Sequence, residues 1–125
     1  MSKTIMVVDD EKRLVSLVES YLTQEGYRVV SAHNGKDALA VARREKPDLI
    51  ILDVMMPEMD GITAVRELRK RPDAKRLPVI MLTAKAMKDD QEQCLSAGAN
   101  DYMAKPLDVE KLLSLVRVWI GKPAA

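Results

Sequence analysis

Leu49-Ile50-Ile51-Leu52-Asp53 runs directly into Val54-Met55-Met56-Pro57-Glu58-Met59-Asp60-Gly61. Four consecutive apolar residues end on a carboxylate, and a loop marked by proline and glycine follows. An apolar run without alternation reads as a strand buried on both faces. A charge at the end of such a strand is costly unless something beyond the strand uses it. Where the other strands end therefore decides what Asp53 is for.

Working outward, short apolar runs alternate with amphipathic stretches. Ile5-Met6-Val7-Val8 is a first strand. Residues 11–25 carry Leu14, Leu17, Val18, Tyr21 and Leu22 at helical spacing, and Gly26 stops them. Arg28-Val29-Val30-Ser31-Ala32 is a second strand. Asn34 caps a helix that reaches about Lys46, where Pro47 blocks its continuation. Asp60-Gly61 opens a third helix with Ile62, Val65 and Leu68. Pro78-Val79-Ile80-Met81-Leu82 is a fourth strand. A helix over 87–97 ends at Gly98, which supplies the left-handed stop. Asp101-Tyr102-Met103-Ala104 is a fifth strand, and Asp108 caps a last helix running to Ile120. Five βα units with wholly apolar strands predict an α/β fold, a doubly wound five-stranded parallel sheet covered by helices on both faces.

Size and charge narrow the function. The 125 residues suffice for one domain with a real core. A net charge of +1 gives no reason to expect nucleic acid or an anionic membrane as a direct partner. The pairs Arg43-Arg44, Lys70-Arg71 and Lys75-Arg76 have acids nearby and read as solvated surface. Cys94 is the only cysteine, so no intrachain disulfide forms and a reducing compartment fits. No run approaches a membrane span, and the N-terminus enters a strand without a signal peptide. Cytoplasmic placement is the expectation.

In open parallel sheets, ligands sit beyond the carboxyl ends of the strands. Strand one delivers Asp9, Asp10 and Glu11 there; strand three delivers Asp53; strand four, Thr83; strand five, Lys105-Pro106. If strands one and three are neighbours they lie about 4.8 Å apart. Carboxylates crowded so closely raise each other's pKa or require a cation, and Mg2+ with oxygen ligands is the simplest resolution. An acidic pocket with Mg2+, one lysine and one threonine suits a phosphoryl group, with Asp53 as nucleophile and Asp9 and Asp10 holding metal. Each part alone has a plain reading. Asp-Asp-Glu before a helix is a good N-cap, and an Asp after a strand is often a turn residue. The joint pattern, one part from each of four strand ends, favours a single constellation.

These residues resemble the receiver domain of two-component response regulators, the CheY-like superfamily. The resemblance rests on Val7-Val8-Asp9-Asp10-Glu11, on the segment from Leu52 to Gly61, on Leu82-Thr83-Ala84, and on the segment from Ala97 to Pro106. It implies the flavodoxin-like (βα)5 fold with strand order 2-1-3-4-5, residues 1–125 being a single receiver. It implies that Asp53 takes a phosphoryl group from a phosphohistidine on a sensor histidine kinase or a histidine phosphotransfer protein. It further implies Mg2+ held by Asp9, Asp10, Asp53 and the Met55 carbonyl, with Lys105 on the phosphoryl oxygens and a cis Lys105–Pro106 peptide. Thr83 then shifts and Tyr102 rotates inward. The readout is a protein partner on the surface of the fourth helix, fifth strand and fifth helix, the protein being a monomer or a phosphorylation-dependent dimer. With no effector segment in these residues, a stand-alone regulator is the expectation. Its only catalysis would be self-phosphorylation from phosphodonors and slow autodephosphorylation.

Two other functions compete. A Mg2+-dependent aspartyl-phosphate phosphatase uses a similar nucleophile, but Met55 stands where its general acid would be, two residues past Asp53. A flavin module of flavodoxin type is opposed by the acidic first βα loop, which would repel a bare phosphate. His33, on a turn, reads as surface rather than as a phosphodonor. In the last helix Val109, Leu112, Leu113, Val116 and Ile120 form a core stripe, while Leu115, Val118 and Trp119 lie off it; Trp119 either folds over the fifth strand or first helix, or meets a partner. Lys85 and Met55 flank the line of water attack on a phosphorylated Asp53. The expectation is that they slow hydrolysis, so that Lys85→Ala and Met55→Asn shorten the phosphoryl lifetime in a decay assay; an unchanged rate rejects the idea.

Overall fold

The computed structural model describes residues 3–56, 59–84 and 88–122. Five strands, β1 (Thr4–Val8), β2 (Arg28–Ala32), β3 (Leu49–Asp53), β4 (Val79–Thr83) and β5 (Asp101–Ala104), form one parallel sheet in the order β2-β1-β3-β4-β5. Helices α1 (Lys12–Gln24), α2 (Gly35–Glu45), α3 (Gly61–Arg69), α4 (Lys88–Ala97) and α5 (Val109–Ile120) connect and follow them. A short 3-10 turn over Pro72–Ala74, not anticipated from the sequence, precedes β4.

Strand alternation divides the core in two. Met6, Val8, Ile50, Leu52, Val79 and Met81 join α2, α3 and α4 residues on one face. Ile5, Val7, Leu49, Ile51, Ile80, Leu82 and Met103 join α1 and α5 on the other. Both faces of β1, β3 and β4 are buried, which is why each of them carries a run of four apolar residues. Each fully buried large side chain contributes about 1.5–3 kcal/mol.

The helix ends follow their local chemistry. Asn34, Asp60 and Asp108 each accept a backbone N–H of the first turn, at 2.8, 2.7 and 3.2 Å. Gly26 and Gly98 take the positive φ, 105° and 117°, that the stops of α1 and α4 require. The end of α5 is pinned by Tyr27, whose hydroxyl donates to the Gly121 carbonyl at 2.9 Å, and by the Lys3 ammonium, which donates to the Ile120 carbonyl.

Three expectations need correction. In α1 the buried residues are Val15, Val18 and Leu22, whereas Leu17 and Tyr21 are exposed. The helix is rolled so that Val15 rather than Leu17 meets the sheet. In α5 Leu112 and Val116 are buried and Leu113 and Ile120 pack partly covered against the same core, but Leu115, expected off that stripe, packs there as well, and Val109 is only partly covered. Arg71 is not solvated surface: it donates to the Leu39 carbonyl at 3.2 Å and pairs with Asp73 at 2.7 Å.

Arg69 was not singled out by the sequence at all. It donates to the carbonyls of Gly98 (3.0 and 2.8 Å) and Ala74 (2.7 Å) and to the Asn100 side chain (2.8 Å). It thereby ties α3 to the C-terminal stop of α4, and burial holds its pKa below the usual arginine value. Cys94 is buried and His33 is exposed. Trp119 takes the first of its two readings: its indole N–H donates to Asp101, at the start of β5, at 3.3 Å.

Candidate active site

Register brings the strand ends together. Val8 pairs with Leu52, so the residues that follow them, Asp9 and Asp53, lie side by side. Asp53 pairs with Leu82 and Thr83 with Ala104, so β4 and β5 present Thr83 and Lys105 beside the same edge. The Lys105 backbone N–H donates to the Thr83 carbonyl at 2.7 Å, and Val54 N–H to the Leu82 carbonyl at 3.0 Å. These bonds continue the ladder past the strands and fix where the site residues depart from it.

Asp9 is completely buried. One of its oxygens accepts the Glu11 N–H at 2.9 Å and the other the Lys105 ammonium at 3.0 Å. The capping role that Asp-Asp-Glu suggests is not filled: Glu11 stands at the N-cap of α1 without a side-chain capping bond, and Asp10 is exposed. Asp53 is buried, with Lys105 Nζ at 3.4 Å. Asp9, Asp10 and Asp53 each offer an oxygen within 4.8 Å of the others.

The electrostatics follow from burial and like charge. Asp53 is pushed up from 3.8 to about 6, first by burial and then by the charge of Asp9; Lys105 and the Met55 N–H pull the other way. For Lys105 burial works to lower its pKa, but the hydrogen bond and charge of Asp9, with Asp53, outweigh it and hold the ammonium above the usual lysine value. The two directions are compatible because Lys105 lies closer to Asp9 than to Asp53. Three carboxylates thus face one ammonium. The donor set is all oxygen and carries an excess of negative charge, which fits a hard divalent ion such as Mg2+.

Thr83 is buried at the end of β4. Tyr102, on β5, is partly buried against the core on the α4 side. Met55 is 70% exposed at the mouth of the site, and Lys105–Pro106 is cis. Lys85, the other residue expected at the mouth, lies outside the described residues. The structure therefore brings together Asp9, Asp10, Asp53, Met55 and Lys105, with Thr83 at the neighbouring strand end.

Sequence reasoning missed Gly35, the first residue of α2. Its N–H donates to the Met59 carbonyl at 3.2 Å, and a Cβ there would lie 2.4 Å from that oxygen. The signal available was a glycine just after a good N-cap, where alanine suits a helix better.

Comparison with known proteins agrees with this geometry. A family model for the response regulator receiver domain matches residues 5–117. Response regulator PleD of Caulobacter vibrioides is 46% identical over 117 residues, which cover 94% of this chain and 26% of PleD. Among solved structures, the receiver domain of sensor histidine kinase PA1611 from Pseudomonas aeruginosa PAO1 has a magnesium ion coordinated in its active site cleft. It is 38% identical with a TM-score of 0.89, covering 98% of this chain and all (100%) of that one. Chemotaxis protein CheY4 of Vibrio cholerae is 31% identical with a TM-score of 0.91, covering 95% and 99%. The chain spans about a quarter of the length of PleD. A flavodoxin-like sheet whose edge gathers three aspartates and a lysine, together with a family match over nearly its whole length, means that this chain belongs to the response regulator receiver domain family.

Proposed function

We propose that this receiver is a phosphorylation-controlled switch in which Asp53 is the phosphoacceptor. The observation that carries the reading is the meeting of Asp9, Asp10, Asp53 and Lys105 at the ends of three different strands. An oxygen of Asp53 attacks phosphorus, the phosphorus–nitrogen bond of a phosphohistidine breaks, and its electron pair stays on the imidazole. The product is an acyl phosphate on Asp53. Asp9, Asp10, Asp53 and the Met55 carbonyl would hold Mg2+, which supplies charge neutralisation for the phosphoryl oxygens. Lys105 is already positioned within 3.4 Å of Asp53 and supplies a second positive charge on those oxygens.

The donor is a sensor histidine kinase or a histidine phosphotransfer protein. On phosphorylation nearly two negative charges and three strong acceptors enter the site. Thr83 moves to donate to one of the new oxygens, and Tyr102 turns inward behind it. The altered surface is that of α4, β5 and α5, where a groove is lined by Tyr102, Ala104, Pro106, Leu115 and Val118. Val118 is 74% exposed there, which suits a protein partner.

Incubation with acetyl phosphate and Mg2+, followed by intact mass measurement, tests the reading. One added phosphoryl group is expected, absent after Asp53→Ala and absent when EDTA replaces Mg2+. Uptake that persists in Asp53→Ala sinks it. Turnover of phosphate monoesters without a stable adduct would instead favour the phosphatase alternative.

A further inference from the structure

The sheet ends at β5, and a groove runs between that strand and α5. Its helical wall is apolar. Leu115 and Val118 stand three residues apart on α5, so they form one ridge along the groove. Leu115 is half-buried against the core, whereas Val118 is 74% exposed. Tyr102, the residue that turns in the proposed switch, lines the same groove from β5.

The rim has a sign. Among the described residues lining the groove, Asp101, Asp108 and Glu110 stand against a single cation, Lys111. Asp101 accepts the backbone N–H of Tyr102 at 2.9 Å and the indole N–H of Trp119 at 3.3 Å. Asp108 accepts the Lys111 backbone N–H at 3.2 Å. These donors are neutral, so they orient the carboxylates without cancelling their charge. A partner strand would find only the four residues of β5 to pair with. A helix can lay its own apolar row along Leu115 and Val118 instead. A second copy of this chain is the poorer occupant. A twofold contact sets one patch against itself, so the acidic rim would face its own image.

We propose that the β5–α5 groove receives an amphipathic helix of another protein, its apolar row on Leu115, Val118 and Tyr102 and its flanking lysines or arginines on the acidic rim. The inference rests on the reading of α4, β5 and α5 as the surface that phosphorylation alters, and it names the chemistry of the partner there. Because Tyr102 belongs to the groove, its inward turn changes the floor on which that helix packs.

Selection from a displayed library of helices about 18 residues long tests this. Leucine is fixed at i, i+3, i+4 and i+7, and lysine or glutamate varies at the other positions. Helices that bind the parent are expected to carry net positive charge. Their affinity is then measured by the fluorescence of Trp119, the only tryptophan of the chain. It should fall about tenfold in Val118→Ser, which removes an apolar contact, and severalfold in Glu110→Lys. Leu17→Ser, on the exposed side of α1, should leave it unchanged. Failure to enrich any helix overturns the inference, as do winners of neutral or negative charge and winners that bind Val118→Ser as well as the parent. Concentration-dependent dimerisation of the parent that Val118→Ser abolishes overturns it in favour of a second copy. A parent that takes up no phosphoryl group from acetyl phosphate overturns the underlying reading instead.

Discussion

Asp53→Asn is expected to make the metal-free protein more stable at pH 8 while leaving it unable to take up phosphoryl groups. The carboxylate is buried beside Asp9, and its pKa in the folded protein is about 6 against 3.8 in the unfolded chain. The folded state therefore binds that proton more tightly. Ionising Asp53 costs folding free energy, a cost that appears as pH rises from about 4 and is complete above about 6. Two pKa units correspond to roughly 3 kcal/mol at most. The pull of Lys105 is already included in that shift; the poorer fit of an amide beside the Lys105 ammonium reduces the expected gain to about 2 kcal/mol. Urea midpoints measured in EDTA should show the variant ahead of the parent at pH 8 and level with it near pH 4. Mg2+ should narrow the gap at pH 8 by stabilising the parent alone. A variant less stable than the parent at pH 8 contradicts the account, because the buried charge would then be a net asset to the fold.

The second large effect is expected at Gly61, the first residue of α3. A Cβ there would lie 2.2 Å from the Asp53 carbonyl oxygen and 2.8 Å from the Met81 terminal methyl. Met81 can swing its end aside. The Asp53 carbonyl cannot, since it belongs to the central strand β3, flanked by β1 and β4. Gly61→Ala is thus an overpacking change with no cheap relief, costing about 3 kcal/mol. For a chain of this size that lowers the melting temperature by about 10 °C. Phosphorylation by acetyl phosphate should slow as well, because the strain falls on the backbone of the nucleophile. A melting temperature within a few degrees of the parent, by calorimetry, would show that α3 slides away freely and that the contact is not restrictive.

Much of this molecule was readable from short-range signals. The central strands β1, β3 and β4 each carry four apolar residues without alternation, so burial on both faces was the only economical reading for them, and all five strands lie within a residue of their expected places. Asn34, Asp60 and Asp108 cap because a side-chain oxygen one residue before a helix can reach an orphan N–H of its first turn. The site residues were legible because each stands at the carboxyl end of a strand.

What failed did so where the deciding partner is remote in sequence. Leu17 and Tyr21 share a helical stripe with Val18 and Leu22, and nothing local says which edge of a broad stripe faces inward; the docking of α1 against β1, β2 and α5 decides it. Arg69 and Arg71 look like ordinary surface charge until carbonyls from Gly98, Ala74 and Leu39 surround them. Gly35 looks like a helix-start glycine until Met59 approaches it.

The amino-acid order alone therefore determined which groups stand at one edge of the sheet, since apolar runs, caps and stops act over a few residues. Only the folded arrangement decided how close those groups come, which of them are shut from water, and which glycines must stay bare. The reason is that strand register and helix docking are settled by packing across the whole chain. A carboxylate such as Asp53 acquires its altered proton affinity from neighbours some forty and fifty positions away, Asp9 and Lys105.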